Sequence, residues 1–413
     1  MSELSYLEKL LDGVEVEWVP VSELFQIKNG YTPSKSKKEF WENGTIPWFR
    51  LEDVRVNGRE LNDSIQHINP LGVKGCLFPK NSIFMSTTAT IGEYALVRVP
   101  YLTNQQITNF SISEKFSEAV NIKYIFYRFY DFGKWCTENA NKSGGVSIIG
   151  LKKLSQYQFP IPCPDNPEKS LAIQSEIVRI LDKFTALTAE LTAELTAELN
   201  MRKKQYNYYR DQLLSFKEGE VEWKTLGEVA QYSKTRISFE LLDERNYVGV
   251  DNLLQNRAGK SLSNHVPTSG KLTEFIPNDI LIGNIRPYLK KIWQADCIGG
   301  TNGDVLVIRC IDSSINTRYL YQILADDKFF EYNMQHAKGA KMPRGSKEDI
   351  MKYPIPVPPL TLQARIVEIL NKFDTLTNSI TEGLPREIEL RQKQYEYYRD
   401  LLFSFPKPET VSN

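Results

Sequence analysis

The segment RKKQYNYYRDQLLSF (residues 202–216) returns as RQKQYEYYRDLLFSF (391–405), with 11 of 15 positions identical and an offset of 189 residues. The same offset relates IVRILDKF (177–184) to IVEILNKF (366–373). Similarity at a fixed period indicates repeated structural units. We therefore interpret the chain as two copies of one unit.

Each copy has the same order of parts. QFPIPCP (158–164) matches KYPIPVP (352–358), and VEVEW (14–18) matches GEVEW (219–223). A long block precedes each Pro-Ile-Pro stretch, and a segment with helical periodicity follows it. Because the opening YLEKLLDGVEVEW resembles YYRDQLLSFKEGEVEW, the copies are circularly arranged, and we expect the two termini to lie close together.

The two long blocks, 19–160 and 224–352, differ in sequence but retain weaker parallels. SIFMSTTATIGEYALV (82–97) parallels DILIGNIRPYLKKIW (279–293), and TNQQITNF parallels TNGDVLVI. Short β-rich runs broken by Gly, Pro and Asn predict strands and turns. We expect each block to form a compact domain with a mixed or antiparallel sheet.

The helical segments show an apolar seam. Residues at alternating spacings of three and four form this pattern, which is typical of a coiled coil: Ile177, Ile180, Phe184, Leu187 and Leu191, then Ile366, Ile369, Phe373, Leu376 and Ile380. The segments 184–205 and 373–394 have equal length, so we expect them to pair. Gly383 and Pro385 should kink or interrupt the second helix.

These patterns predict an α+β (α/β-like) fold. Two globular domains are separated by two long antiparallel helices that form a coiled coil, in a pseudo-two-fold and circular arrangement. The predicted regions are a first globular domain, a central helical region, a second globular domain and a C-terminal helical region, at 1–160, 161–217, 218–355 and 356–413.

Composition favours a globular chain without a membrane segment. Of 413 residues, 51 are Lys or Arg and 51 are Asp or Glu. No run of about 18 apolar residues and no signal peptide are evident. The five cysteines form no Cys-x-x-Cys pair, which fits a reducing cytoplasm better than a disulfide framework or a zinc site.

The zero net charge is a sum of unlike parts. Block 19–160 carries +5 and block 224–352 carries +3, so the remaining residues carry −8. This is the expected direction if the globular blocks face phosphates. The alternative is a surface without nucleic-acid preference, because the excess is small.

No catalytic motif is evident. Gly259-Lys260-Ser261 ends like a nucleotide-binding P-loop, but Leu254 stands where the first glycine is needed. Three histidines share no metal-ligand spacing: His67, His265 and His336. Binding is therefore favoured over catalysis.

With these features in place, the whole chain resembles the specificity subunit of type I restriction–modification enzymes. The resemblance rests on two dissimilar blocks that each end in Pro-Ile-Pro, each followed by I-V-x-I-L-x-K-F and R-x-K-Q-Y-x-Y-Y-R-D. NIRPYL (284–289) is similar to a recurrent segment of the family's target-recognition domains. TAELTAELTAEL (188–199) is similar to the tetrapeptide repeats of one subgroup.

The resemblance implies a non-catalytic subunit with two target-recognition domains, each reading one half of an asymmetric bipartite site on double-stranded DNA. It implies helices that set the spacer and dock two modification (adenine methyltransferase) subunits. S-adenosylmethionine, ATP and magnesium are expected in partner subunits, and no cofactor is expected in this chain. Restriction subunits with translocase and nuclease activity can join, and the expected location is the cytoplasm, away from membranes.

Base readout needs hydrogen-bonding side chains on loops that reach groove edges. The candidates in the first block are Arg50, Ser86, Thr87, Thr88, Thr90, Asn104, Gln105, Gln106, Lys142 and Ser143. Those in the second block are Asn284, Arg286, Tyr288, Lys290, Lys291, Asn302, Lys338, Lys341 and Arg344. Arg286 and Lys341 are the strongest; for each residue, a solvated loop or a strand cap is the alternative.

A second set of candidates is nearly identical in the two copies: Tyr206, Tyr208, Tyr209, Arg210, Tyr395, Tyr397, Tyr398 and Arg399. Two unlike half-sites require unlike DNA-reading surfaces, whereas two identical partner subunits require identical ones. We therefore predict that this set binds the partner subunits, with packing between the helices as the alternative.

The TAEL repeat suggests a spacer rule. Four helical residues add about one turn plus 40° and about 6 Å, and one base pair adds about 35° and about 3.4 Å. The rotational match supports the hypothesis that one TAEL unit corresponds to one base pair of spacer. The alternative is a helix-forming run that only lengthens a stalk.

Two other functions stay open at this point. The blocks can belong to a scaffold that binds protein or glycan, although their basic charge argues against it. An enzyme with an unrecognised site is the third interpretation, disfavoured by the missing motifs.

Overall fold

The chain divides into two compact units that each combine a globular domain with parts of the helical segments. The computed structural model describes residues 6–142, 145–217, 219–378 and 382–406. Unit 1 comprises Met1–Leu187 and Gln394–Asn413, and unit 2 comprises Thr188–Lys393. Within the described ranges, no helix combines the length and the apolarity needed to cross a membrane.

Both units contain helices and strands, as the α+β prediction requires. The helices are α1 (Tyr6–Leu11), α2 (Val21–Leu24), α3 (Leu51–Asn57), α4 (Ile122–Glu138), α5 (Leu151–Leu154), α6 (Pro167–Leu213), α7 (Leu226–Val229), α8 (Thr317–Leu324), α9 (Asp327–Gln335), α10 (Lys347–Ile350), α11 (Leu360–Asn378) and α12 (Gly383–Leu402). The long helix α6 leads from the first domain to the second.

The strands of unit 1 are β1 (Val16–Pro20), β2 (Phe25–Asn29), β3 (Ile46–Phe49), β4 (Glu60–Leu61), β5 (His67–Ile68), β6 (Ser82–Ser86), β7 (Tyr94–Val97), β8 (Leu102–Thr103), β9 (Ile107–Ile112) and β10 (Gln158–Pro162). Those of unit 2 are β11 (Glu222–Thr225), β12 (Ala230–Tyr232), β13 (Arg236–Ser238), β14 (Tyr247–Val248), β15 (Lys271–Phe275), β16 (Ile280–Gly283), β17 (Ile292–Gln294), β18 (Gly299–Thr301), β19 (Val305–Cys310) and β20 (Pro354–Val357).

An antiparallel ribbon closes each globular domain. In unit 1, β1 pairs with β10 so that Trp18 faces Pro160. In unit 2, β11 pairs with β20 so that Trp223 faces Pro356. The two sequence motifs that repeat at the ends of each block therefore hydrogen-bond to each other, and proline is tolerated because these two-stranded ribbons have only edge strands.

The sheets have related topologies. Unit 1 contains a five-stranded sheet of order β2-β9-β6-β7-β4 and a three-stranded sheet of order β5-β3-β8. Unit 2 contains four-stranded sheets of order β12-β19-β16-β17 and β13-β15-β18-β14. The hairpins β6–β7 and β16–β17 occupy equivalent places beside β9 and β19, as the weaker sequence parallels predicted.

A buried glutamine on the long helices holds the domain in each unit. Gln174 accepts a hydrogen bond from the backbone N–H of Asn121 and donates to the carbonyl of Ala119. Gln363, at the offset of 189, makes the same two bonds to Asn316 and Ser314. Both glutamines are fully buried, so the domain and the helix form one body within each unit.

The long helices also pair within each unit. In unit 1, Phe184 of α6 stacks on Tyr398 of α12 at a ring separation of 5.2 Å. In unit 2, Tyr206 of α6 stacks on Phe373 of α11 at 6.2 Å. Leu187, a predicted seam residue, is 51% exposed, and Ile380 lies outside the described residues.

The second copy is interrupted, as Gly383 and Pro385 predicted. Helix α11 ends at Asn378, and α12 begins at Gly383, whose φ is +78°. A Cβ atom on Gly383 would lie 2.6 Å from the carbonyl oxygen of Thr375. Glycine is thus required both by the left-handed backbone and by this close approach.

The two ends of the described chain, near Tyr6 and Pro406, meet in unit 1, as the circular arrangement of the copies predicted. The indole N–H of Trp18 donates to the carbonyl of Pro406 at 2.9 Å. An apolar cavity of about 490 Å³ is lined by Tyr6, Leu7, Ile180, Phe184, Tyr398, Leu401 and Leu402. Phe403 is buried, and its carbonyl accepts from the guanidinium of Arg128, which also lies 4.7 Å from its ring centre.

We predict that Phe403→Ala destabilises unit 1. Truncating a buried phenylalanine removes apolar burial and leaves a cavity, so the free energy of unfolding should fall by about 3 kcal/mol. Tyr397→Ala is the control, because Tyr397 is 63% exposed and its loss should cost less than about 0.5 kcal/mol. Urea denaturation of the full chain measures both, and equal effects would contradict the packing of the C-terminal segment.

Candidate nucleic-acid interface

An equivalent pair of loops carries predicted DNA-contacting residues in both units: eight of the nine in unit 2, and Thr87, Thr88, Thr90 and Lys142 in unit 1. In unit 1, the turn after β6 meets the segment after α4 through bridges from Ile148 to Thr88 and Asn141. In unit 2, the turn after β16 meets the segment after α9 through bridges from Arg344 to Ile285 and Lys338. Backbone hydrogen bonds thus bring together sequence positions that lie about 60 residues apart.

Unit 1 adds a polar cleft beside its loop pair. The cleft has a volume of about 650 Å³ and is lined by Thr32, Lys35, Lys38, Trp41, Glu42, Trp48, Arg50, Gln66, Asn104, Gln105 and Gln106. The Arg50 guanidinium lies 5.7 Å from the Trp48 ring centre, and Thr32 donates to the side-chain oxygen of Gln105. The lining offers cations, amides and aromatic faces, which are the groups that bind phosphates and base edges.

The predicted residues of unit 2 lie on three adjoining loops. Asn284, Arg286, Tyr288, Lys290 and Lys291 lie on the β16–β17 loop. The backbone N–H of Arg286 donates to the carbonyl of Pro343, and the Arg344 guanidinium binds Asp304, close to Asn302, at 2.7 Å. The fold therefore brings the nine residues predicted in unit 2 onto adjoining loops.

Exposure divides the predicted set. Exposed members have side chains available to a ligand: Thr90, Gln105, Gln106, Lys142, Arg286, Tyr288, Asn302, Lys338, Lys341 and Arg344. Partly exposed members are Arg50, Thr88, Asn104 and Lys290. Ser143 lies outside the described residues. The direct DNA contacts of all these residues stay predictions.

Four predicted base-reading residues are instead buried, which corrects their assignment. Ser86 donates to the carbonyl of Thr88, and the hydroxyls of Thr87 and Thr108 are 2.9 Å apart. Lys291 is 8% exposed, its ammonium donates to the carbonyl of Val250, and burial lowers its pKa. Asn284 is buried as well, so none of these four side chains is accessible to a base in this structure.

Two buried asparagines, Asn284 and Asn333, lie beneath Gly345 of the unit 2 loops. Asn284 and Asn333 are buried, and Asn284 Oδ1 and both polar atoms of the Asn333 side chain make no hydrogen bond within the described residues. Gly345 covers them: a Cβ atom there would lie 2.2 Å from Asn333 Oδ1 and 2.8 Å from Asn284 Oδ1. The loop can therefore close over the cluster only because position 345 is glycine.

The aromatic and basic helix ends divide in the same way. Tyr206, Arg210 and Arg399 are 3%, 1% and 4% exposed, so packing, and not a partner contact, is the role the structure gives them. Tyr206 donates to Gln322, and burial raises the pKa of its hydroxyl. Arg399 lies 3.5 Å from the ring centre of Tyr130.

The tyrosine pairs at these helix ends remain on the surface. Tyr208 and Tyr397 are 62% and 63% exposed. Tyr208 and Tyr209 make an edge-to-face contact with rings 5.5 Å apart, and Tyr397 and Tyr398 repeat it at the same separation. Tyr395 is partly buried and accepts a hydrogen bond from Thr185. Partner binding by these tyrosines stays a prediction.

Several residues of the interface were not predicted from the sequence. Trp41, Trp48, Lys35 and Lys38 line the unit 1 cleft. The available signal was the basic run SKSKK (34–38) followed closely by Phe40 and Trp41. Among the described residues, no group of three or more His, Cys, Asp or Glu side chains could hold a metal ion.

A family model supplies the class of protein. The model described as "Type I restriction modification DNA specificity domain" matches residues 13–201 and 218–390. The two matches correspond to the two copies found in the sequence. The chain belongs to this family and is a DNA-recognition component of a type I restriction–modification system, with two DNA specificity domains.

Similar proteins agree over nearly the whole chain. The EcoprrI type I restriction enzyme specificity subunit of Escherichia coli is 46% identical over 405 residues, covering 92% of this chain and 93% of that protein. The EcoR124I/EcoR124II specificity subunit of Escherichia coli is 41% identical over 436 residues, covering 100% of both.

One solved structure supports the fold. A chain from a study of complex assembly and conformational transition in a type I restriction–modification system aligns with a TM-score of 0.60 at 14% identity, covering 94% of this chain and 97% of that one. The predicted fold class is thereby confirmed as mixed α and β domains connected by a long helix.

We predict that Gly345→Ala disrupts the support of the unit 2 loops. The added methyl group would overlap Asn333 Oδ1, so the variant should lose about 1–3 kcal/mol of stability. Gly303→Ala is the matched control, because a Cβ atom there meets nothing within 4 Å. Combining Gly345→Ala with Asn333→Ala should recover part of the loss in a double-mutant cycle of thermal unfolding; strictly additive losses would contradict the proposed overlap.

Proposed function

We propose that each domain reads one half of an asymmetric, bipartite site on double-stranded DNA. The observation that carries this proposal is the combination of an equivalent framework with unlike loops. The glutamine contacts and the closing ribbons repeat in both units, whereas the loop residues differ. Equivalent frameworks would present the two loop sets in the same way, and different side chains would select different bases.

The exposed cations support contact with a polyanion. In the described part of the chain, Arg286, Lys338 and Lys341 form no ion pair, and all three side chains are exposed on neighbouring loops. Unpaired cations gain most from phosphate contact because no internal ion pair has to break. A scaffold that binds protein or glycan would not need this excess, so it is the weaker interpretation.

The helices would set the distance between the half-sites. Helix α6 passes through the TAEL run without interruption, and Leu191, Leu195 and Leu199 are half-buried. A continuous helix transmits length and rotation directly. We infer that the number of TAEL units determines the length of the unread spacer.

The paired tyrosines would dock the modification subunits. Tyr208–Tyr209 and Tyr397–Tyr398 have the same exposed geometry in both units, which suits two copies of one partner. Those partners would carry S-adenosylmethionine and methylate adenine, and restriction subunits would use ATP and magnesium. Cytoplasmic location follows from access to chromosomal and incoming DNA.

We expect the full chain, purified with its modification subunits, to select a bipartite motif from a pool of random duplexes. In the variant Arg286→Ala, binding to the selected site should weaken by about 1–3 kcal/mol, and preference should relax in one half-site only. Arg365→Ala removes the same charge from an exposed position on α11 and should leave the motif intact. The absence of any selected motif would refute the proposed function; equal weakening on cognate and random DNA would reassign Arg286 to phosphate contact.

Deletion of residues 196–199 tests the spacer rule. Removing one TAEL unit takes away about one turn plus 40° of helix, so the preferred spacer should shorten by one base pair with both half-sites unchanged. Sequencing of methylated sites in a host expressing the variant gives the spacer directly. Replacing Thr196 and Glu198 by alanine changes the same unit at constant length and should keep the original spacer; an unchanged spacer in the deletion variant would defeat the rule.

A further inference from the structure

The β16–β17 loop of unit 2 has a strained backbone. Arg286 and Lys290 both adopt left-handed conformations, with φ of 53° and 51°. The segment that faces them does the same, with Asn256 at 54° and Arg257 at 64°. Non-glycine residues rarely adopt this conformation, and it persists only where surrounding contacts impose it.

Backbone hydrogen bonds join the two strained segments. The N–H of Asn256 donates to the carbonyl of Leu289 at 2.9 Å, and that of Arg257 donates to the carbonyl of Lys290 at 3.0 Å. These bonds fix the backbones of the two segments relative to each other, but they do not fix the position of the Lys290 side chain.

One carboxylate organises the cations around this loop. Asp327, the first residue of α9, accepts a hydrogen bond from the Lys290 ammonium at 2.7 Å and binds the Arg257 guanidinium. The guanidinium of Arg210, near the end of α6, lies 4.0 Å from Asp327 and 3.3 Å from Asp326. The loop, the facing segment and the long helix therefore meet at Asp327.

The charges around Asp327 keep its carboxylate ionised and paired mainly with two of the three neighbouring cations. Burial alone would raise the pKa of Asp327, but the hydrogen bond from Lys290 and the charge of Arg257 outweigh it and lower the pKa. Arg210 is 1% exposed and its charge is matched first by Asp326. The Asp327 carboxylate is thus ionised and directed mainly at Lys290 and Arg257.

At the position of unit 1 that aligns with Asp327, the described chain has no carboxylate. The helix-start sequences NIKYIFYRFYDF (121–132) and NTRYLYQILADD (316–327) align residue by residue. Tyr124 and Tyr319 in them make the same bond to the carbonyls of Pro160 and Pro356. In this alignment the buried Phe132, inside the continuous helix α4, corresponds to Asp327, and Asp131 corresponds to Asp326.

We propose that Asp327 is a positioning residue for DNA readout by unit 2. It holds Lys290 against α9, so that the strained loop presents Arg286 and Tyr288 to the bases and Lys290 does not bind phosphates of any sequence. The inference rests on the proposed function, and it concerns one half-site only because the aligned position in unit 1 is Phe132.

Asp327→Asn tests the inference in the full chain with its modification subunits. Asparagine keeps the shape but removes the charge that binds Lys290, whereas Arg257 keeps its hydrogen bond to the carbonyl of Ala325. Preference at the half-site that Arg286→Ala relaxes should therefore fall at least tenfold. Binding to random duplexes should strengthen, and its salt dependence should steepen by about one phosphate contact. The other half-site should be unchanged, and Asp327→Glu should restore most of the preference.

Asp312→Asn is the matched control. Asp312 binds Lys224 at 2.9 Å. It follows the C-terminal end of β19, whereas the β16–β17 loop lies at the N-terminal end of that strand, where Gly283 pairs with Val305. Asp312→Asn changes the net charge by the same amount as Asp327→Asn. Undiminished preference in Asp327→Asn, or equal loss at both half-sites with a lowered melting temperature, would overturn the inference. If the wild-type complex selected no bipartite motif, the proposed function would fall and this inference with it.

Discussion

The structure of both units depends on a buried amide on a long helix. Gln174 and Gln363 each satisfy one backbone N–H and one carbonyl at the start of a domain helix. A buried unpaired amide is costly, so both bonds must form together. Since the hydrogen-bond pattern admits one placement of the domain on the helix, the loops of each domain have a defined position relative to that helix. The proposed recognition of two half-sites at a fixed spacing would require this constraint.

The parts that repeat in the two units and the loops that differ between them serve different purposes. The ribbons β1–β10 and β11–β20, the glutamines and the paired tyrosines repeat because they hold or present the same geometry. The loops diverge because each would face a different half-site. Strain is concentrated in the divergent part: Arg286 and Lys290 have left-handed backbones within a loop that Asp327 restrains. If Asp327 has the proposed positioning role, such restraint would limit the conformations that bind DNA of any sequence.

The sequence predicted the framework better than the interface. Duplication made the helices, the interruption at Gly383 and the meeting of the termini predictable, because each rests on repeated or periodic residues. Burial was harder to predict: Tyr206, Arg210 and Lys291 look like surface residues, but long-range packing covers them. The polar cleft of unit 1 brings Thr32 next to Gln105, and Asp327 binds Lys290. These residues are distant in sequence and follow no periodic pattern, so only the folded chain reveals the contacts.

A chimera in which residues 224–354 replace residues 19–160 tests the central claim, that equivalent joints carry unlike DNA readers. Both positions would then hold the unit 2 domain on the same glutamine contacts. Sequencing of the duplexes selected by this chimera with its modification subunits should yield one half-site twice, as an inverted repeat. An asymmetric motif selected by a folded chimera would contradict the account.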